Sequence, residues 1–193
     1  MMLSTIQLVA LEKSYRLLNH GPTVLVSAQD DTHTGVMTAA WACAVEFSPA
    51  KVSVILDKST MTRSIIENSG YFVLQVPNLK QLKMVHALGM MSQYDAPEKL
   101  RQCGTELFNF PHSTLPAVAG CSAWLLCELI SEPHNQQTHD LFIGKVLRAY
   151  ADERIFANGH WKFDEAPDEW RSLHHVAGGH FYTIGHAVSV QEE

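Results

Sequence analysis

The chain has 193 residues, 46% of them hydrophobic and 18% charged, with a formal charge of -6. A chain of this length buries a core without disulfide help, and the composition is that of a globular protein rather than a disordered one. The acidic balance argues against a nucleic-acid binder, which presents a strongly basic face, yet leaves room for a phosphate ligand, which needs only a few local donors. No apolar run reaches the roughly 18 residues of a membrane helix, so no membrane association is expected. Near the N-terminus the basic residues Lys13 and Arg16 follow the apolar positions instead of preceding them. A signal peptide has the opposite order, and the expected location is the cytoplasm. Cys43, Cys103, Cys121 and Cys127 form no CxxC, match no common zinc spacing and read as structural thiols.

In chain order, residues 1–20 read as a helical lead-in. Ser4 is placed to cap it, Ile6, Val9, Ala10, Leu17 and Leu18 recur at helical spacing, and Asn19-His20-Gly21-Pro22 stops it. Residues 23–28 are a short β run, 29–35 a polar turn, and 37–45 an apolar segment rich in small residues that ends at Ser48-Pro49. Residues 51–57 alternate, with Val52, Val54 and Leu56 on one face. A short helix over 60–68 stops at Gly70. A strand over 71–76 closes at Pro77, and a second helix over 79–88 ends at Gly89. A third helix is expected over 97–102. Two long strands cover 121–130 and 141–150, with Gly144 as a bulge or a point of close approach. Residues 151–180 read as a covering loop, and 181–184 as a last strand. Regular helical crossovers are missing between the strands. The expectation is therefore a mainly β, antiparallel barrel with short helices, forming one domain over 1–193.

Four stretches carry chemistry. In Thr34-Gly35-Val36-Met37-Thr38-Ala39-Ala40-Trp41 the small side chains let a flat ring approach the backbone, or else let two strands pack tightly. Asp57-Lys58-Ser59-Thr60-Met61-Thr62-Arg63 joins a strand to a helix. Its hydroxyls and cations suit a phosphate at the helix N-terminus, or Ser59 and Thr60 simply cap the helix. His139 enters a strand, where it either faces a ligand or closes a turn. His174, His175 and His180 invite a metal, but no metal-ligand spacing accompanies them. A Gly-Gly turn carrying aromatics beside a ligand is the better reading, and no metal is expected. There is no GxGxxG, P-loop or GxSxG signature.

Taken in order, these stretches resemble the flavin reductase-like, FMN-binding split-barrel family, especially its flavoredoxin-like branch. The carrying segments are Gly21-Pro22-Thr23-Val24-Leu25-Val26-Ser27, Met37-Thr38-Ala39-Ala40-Trp41, Ser48-Pro49 with the strand after it, Lys58-Ser59-Thr60-Met61-Thr62, residues 65–77 and residues 139–146. A weaker echo lies over 174–185. The resemblance implies a six-stranded antiparallel Greek-key split barrel, active as a homodimer. It places Thr38, Ala39, Ala40 and Trp41 along the ring and ribityl chain of FMN (FAD is the alternative), with His175 also at the cofactor and Lys58, Ser59 and Thr62 at the phosphate. His139 would be the catalytic residue where NADH or NADPH docks. Two positions depart from the pattern: Val36 stands where many relatives carry Asn, and Gln137-Thr138 replace the Gly-Asp before the His. The implied function is NAD(P)H-dependent flavin reduction, with an oxygenase or another electron acceptor downstream. The alternatives are a flavoredoxin-type carrier that retains its FMN, a haem-binding split barrel served by the His-rich tail, and a ligand-free binding module.

Overall fold

The protein is described from a computed structural model covering residues 2–190. Met1 and residues 191–193, which end the expected 1–193 span, lie outside the described residues. Strands β1 (Ile6–Val9), β2 (Val24–Gln29), β3 (Thr34–Ala39), β4 (Ala42–Phe47), β5 (Ala50–Ile55) and β6 (Tyr71–Val76) come first. The short hairpin β7 (Leu107–Asn109) and β8 (Pro116–Val118) follows, then the long β9 (Ala123–Ile130) and β10 (Leu141–Asp152). The pair β11 (Phe156–Ala157) and β12 (His160–Trp161) precedes the hairpin β13 (Leu173–Ala177) and β14 (His180–Thr183). Helices α1 (Met61–Ser69), α2 (Leu82–Met90), α3 (Lys99–Gln102) and α4 (Pro133–His139) lie between strands.

The main sheet runs β3-β2-β6-β9-β10-β5-β4, with every pairing antiparallel and β1 added on β10. The sheet as a whole has eight strands among the described residues, β1 included, where the resemblance implies six for the barrel. Strands β3 and β4 stand at opposite ends of this path, yet only Ala40 and Trp41 separate them. Two residues span a few ångströms, so the sheet must curl until its edges meet. The result is a barrel split between β3 and β4, with the small-residue segment at the seam. Strand β10 is the hub. Its first half pairs with β5, a bulge falls between Val146 and Arg148, and its second half pairs with β1.

Period-2 alternation separates two cores. Val24, Val26, Val54, Phe72, Leu74, Leu125 and Phe142 share one core, which also receives Leu17 and Ile66. Leu25, Val73, Trp124 and Leu126 turn the other way and pack with Val85 and Leu88 of α2 and Phe110. Gly144 is a point of close approach. A Cβ there would lie 2.5 Å from Phe72 Cζ and 3.1 Å from Cys127 Cβ, both fully buried. Gly144→Ala is expected to cost about 1–3 kcal/mol through overpacking. Thermal unfolding would read this as roughly 2–4 °C per kcal/mol for a chain of this size.

Three expectations change. The lead-in is not one helix: Met2–Thr5 and Leu11–Leu17 are 3-10 turns on either side of β1. The open edge of β10 beyond its bulge captures Ile6–Val9, and this long-range pairing overrides the helical spacing. Residues 151–180 are not an irregular loop. They finish β10 and hold β11, β12, β13 and the start of β14. His139 does not enter a strand but ends α4, a helix announced by Pro133 at its start.

Candidate functional site

The crevice forms where the end of β3, the start of α1, the C-terminal part of α2 and the β13–β14 hairpin meet. The larger of two adjoining cavities, about 480 Å³, is lined by Met37 to Trp41, Asp57, Asp140 and His175. The smaller, about 230 Å³, is lined by Thr38, Ser59, Thr60, Thr62, Gln93 and Lys99 among others. Thr38 belongs to both and is held by donating its hydroxyl to Val85 O at 2.6 Å. Trp41 is 74% exposed at the seam.

An Asx-type turn presents the hydroxyls. The Ser59 amide donates to Asp57 Oδ1 at 2.8 Å and its hydroxyl to the same oxygen at 2.5 Å, while Thr60 Oγ1 donates to Asp57 O at 2.7 Å. These Ser59 bonds hold the Asp57 carboxyl below the usual carboxylate range. Neither Ser59 nor Thr60 caps the helix, and Thr60, at the N-cap position, makes no side-chain cap bond. Among the described residues no side chain caps the first N–H groups of α1, whose opening residues Met61 and Thr62 line the small cavity, and a helix N-terminus carries partial positive charge.

The cation in that cavity is Lys99. It is only 4% exposed and makes no ion pair among the described residues. Burial lowers its ammonium below the ordinary lysine value, partly opposed by the thiol of Cys103. Beside it Gln93, 9% exposed, donates to Thr34 O at 2.7 Å, and its buried Oε1 has no partner among the described residues. An unpaired buried cation and an orphaned amide oxygen are costly in a protein interior, and both lie where an anionic, hydroxylated ligand would satisfy them.

Of the residues expected at the site, Thr38, Ala39, Ala40, Trp41 and His175 line the larger cavity, and Ser59 and Thr62 join Thr38 at the smaller. Lys58 lines neither. Its Nζ donates to Gln137 O at 2.7 Å and stands 3.9 Å from Asp140. His139 is exposed on α4, its ring 5.7 Å from that of His134, and lines neither cavity. Arg63 is turned inward. It donates to Leu56 O at 3.0 Å, Gln136 O at 2.8 Å and Asp140 Oδ1 at 2.5 Å, so it ties the α1 turn to the end of α4. Lys99, Gln93 and Asp140 were not singled out from sequence. Lys99 lies in a four-residue helix, where no motif marks it and only tertiary packing buries it.

The hairpin carrying His175 is anchored at its root. The His175 amide donates to Thr23 Oγ1 at 2.8 Å, and His174 Nδ1 donates to Gly21 O at 3.0 Å. His174 Nε2 meets the Ser172 hydroxyl at 3.0 Å, so both of its ring nitrogens are hydrogen-bonded. His20 packs against Trp161, Phe163 and His174, and both of its ring nitrogens are buried without partners among the described residues. Burial, and secondarily His174, lower its pKa from 6.5 to about 3. Below pH 6.5 the unfolded chain takes up a proton that the folded chain refuses until about pH 3. The His20 contribution to stability is thus complete above pH 6.5 and is lost as pH falls through that window. His20→Phe should flatten the decline in melting temperature between pH 6.5 and 4, read by thermal unfolding across that range.

The Flavin reductase like domain family matches residues 15–167, and the chain belongs to it. The chain is 38% identical over 184 residues to the uncharacterized protein YddH of Escherichia coli K12, covering 94% of this chain and 96% of that protein. Among solved structures it is 54% identical, with a TM-score of 0.95, to the FMN-binding domain of a flavin reductases-like enzyme from Shewanella baltica OS155. That alignment covers 96% of this chain and 97% of the other. Flavoredoxin of Desulfovibrio vulgaris (Miyazaki F) shares the fold at 22% identity and a TM-score of 0.74, over 88% and 90% of the two chains. The split-barrel architecture follows from these likenesses and from the strand order. Among the described residues no helix is long and apolar enough to cross a membrane.

Proposed function

We propose that the protein binds FMN in this crevice and transfers electrons through it, receiving hydride from NADH or NADPH. The observation that carries the reading is the buried Lys99, without an ion pair among the described residues, lining one small cavity with Ser59, Thr60 and Thr62, beside the cavity of the Thr38–Trp41 segment. The FMN-binding domain of the Shewanella relative, at 54% identity, supports it.

In this reading Lys99, Ser59, Thr60, Thr62 and the first N–H groups of α1 hold the phosphate. Gln93 Oε1 accepts from a ribityl hydroxyl. Thr38, Ala39, Ala40 and Trp41 bring backbone groups to the edge of the ring, and His175 closes over it. When bound, the flavin supplies hydride acceptance and release at its ring, while the protein supplies position, charge and exclusion of water. No Rossmann site holds the nicotinamide cofactor, which would have to fold over the exposed side of the crevice. Trp41 and the exposed Val45 and Phe47 of β4 suit a second copy of the chain packed at the seam, and we read the active form as a homodimer.

The first test is the visible spectrum of the protein mixed with FMN, followed by anaerobic titration with NADH and NADPH. Bound flavin bleached stoichiometrically at a saturable rate is the expected result. Bound flavin that neither nucleotide reduces would leave a carrier of the flavoredoxin type. No uptake of flavin would remove the reading.

A further inference from the structure

A third cavity, about 310 Å³, lies beside the crevice and shares Thr38, Ala40 and His175 with it. Its other walls are chiefly Val85, His86 and Met90 of α2, and Gly178 and Phe181 of the hairpin. The volume is at the low end of the roughly 300–1,000 Å³ of small-molecule sites, enough for one or two rings. Among the described residues no Asp, Glu, Lys or Arg lines it, so none of them would balance a pyrophosphate or a carboxylate. Phe181 offers a ring face, with His175 and His86 at 4.9 and 6.3 Å between centroids.

The two imidazoles set the hydrogen-bonding chemistry. His175 Nε2 donates to Gly178 O at 3.0 Å, so its neutral tautomer keeps Nδ1 as an acceptor. The His86 ring makes no hydrogen bond among the described residues, and its Nε2 lies 3.6 Å from where a Gly179 Cβ would stand. A neutral imidazole is both donor and acceptor. The cavity therefore suits an uncharged planar ring whose oxygen accepts a hydrogen bond in one oxidation state and donates one in the other. Quinones and hydroquinones have this property.

We propose that this cavity binds a small quinone as the electron acceptor of the flavin, a reading that rests on the proposed flavin function. The balance is closed: reduced flavin gives two electrons and two protons to the quinone, yielding oxidised flavin and hydroquinone, with no other oxidant or reductant. The ring packs on Phe181 between α2 and the hairpin, and His86 bonds its oxygen.

The test uses FMN-loaded protein and duroquinone, whose methylated ring does not alkylate the exposed Cys43. Duroquinone binding is measured by calorimetry on the oxidised protein, and reoxidation of the photoreduced protein is followed anaerobically at rising quinone concentration. Saturable binding and saturable reoxidation are expected. Phe181→Ala and His86→Leu should each weaken both about tenfold, the scale of one lost hydrogen bond or ring contact, and leave FMN affinity unchanged. Reoxidation that rises linearly, as with free reduced FMN, or a quinone affinity in both variants equal to that of the wild type, overturns the proposal. An FMN titration precedes these steps. Failure to load FMN removes the flavin reading and this one with it, whereas loading without saturable quinone binding removes this one alone.

Discussion

Lys99→Met is expected to weaken FMN binding about ten- to hundredfold, the worth of a hydrogen bond to a charged group in a shielded site. The same variant should be no less stable without ligand, because it removes a buried ammonium that has no counter-ion in the described structure. This opposition separates a ligand-binding cation from a structural one. Riboflavin, which lacks the phosphate, serves as the control. Its affinity should hardly change in the variant, so the preference for FMN over riboflavin collapses. Lys58→Ala should have a far smaller effect, since its ammonium is exposed and engaged with Gln137 O. Titrating both flavins against the wild type and both variants by flavin fluorescence checks all of these outcomes.

Arg63→Met should destabilise the protein by about 1–3 kcal/mol, the usual cost of leaving buried acceptors without their donor. Arg63 is 3% exposed, and its guanidinium lies over the Phe142 ring at 5.1 Å and holds four separate acceptors. Without it, the carbonyls of Leu56 and Gln136 lose their donor and Asp140 keeps only the distant Lys58. Arg63→Lys should rescue little, because one ammonium cannot span the geometry of a planar fork. Denaturant unfolding gives the stability. A companion FMN titration should show weaker binding in both variants, because the 57–60 turn loses its tie to Asp140.

The barrel was readable in the sequence wherever burial imposes a period. Val52, Val54 and Leu56 alternate because one face of the strand meets the core, and they are buried as expected. The stop of α1 was readable because Gly70 takes the left-handed conformation with φ of 75°, which few other residues accept. Strand β1 was hidden because four residues carry too little pattern, and its pairing partners, from Ile6 with Asp152 to Val9 with Ala149, are far away in the chain. Helix α4 was legible in principle from Pro133 but was obscured by its polar composition, PHNQQTH. At the site, the small-residue seam and the hydroxyl turn announce themselves locally, since each sits at a change of element. Lys99 and Gln93 do not, because what distinguishes them is the lack of a partner after burial, a property only the folded chain has.

The central claim is tested most directly by a crystal structure of the protein grown with excess FMN. The account predicts the phosphate within hydrogen-bonding distance of Lys99 Nζ, Thr62 Oγ1 and the first amides of α1, with the ring against Thr38 to Trp41. Density for FMN elsewhere, or a refined structure in which Lys99 is paired with a protein carboxylate and the crevice is filled by side chains, would contradict it.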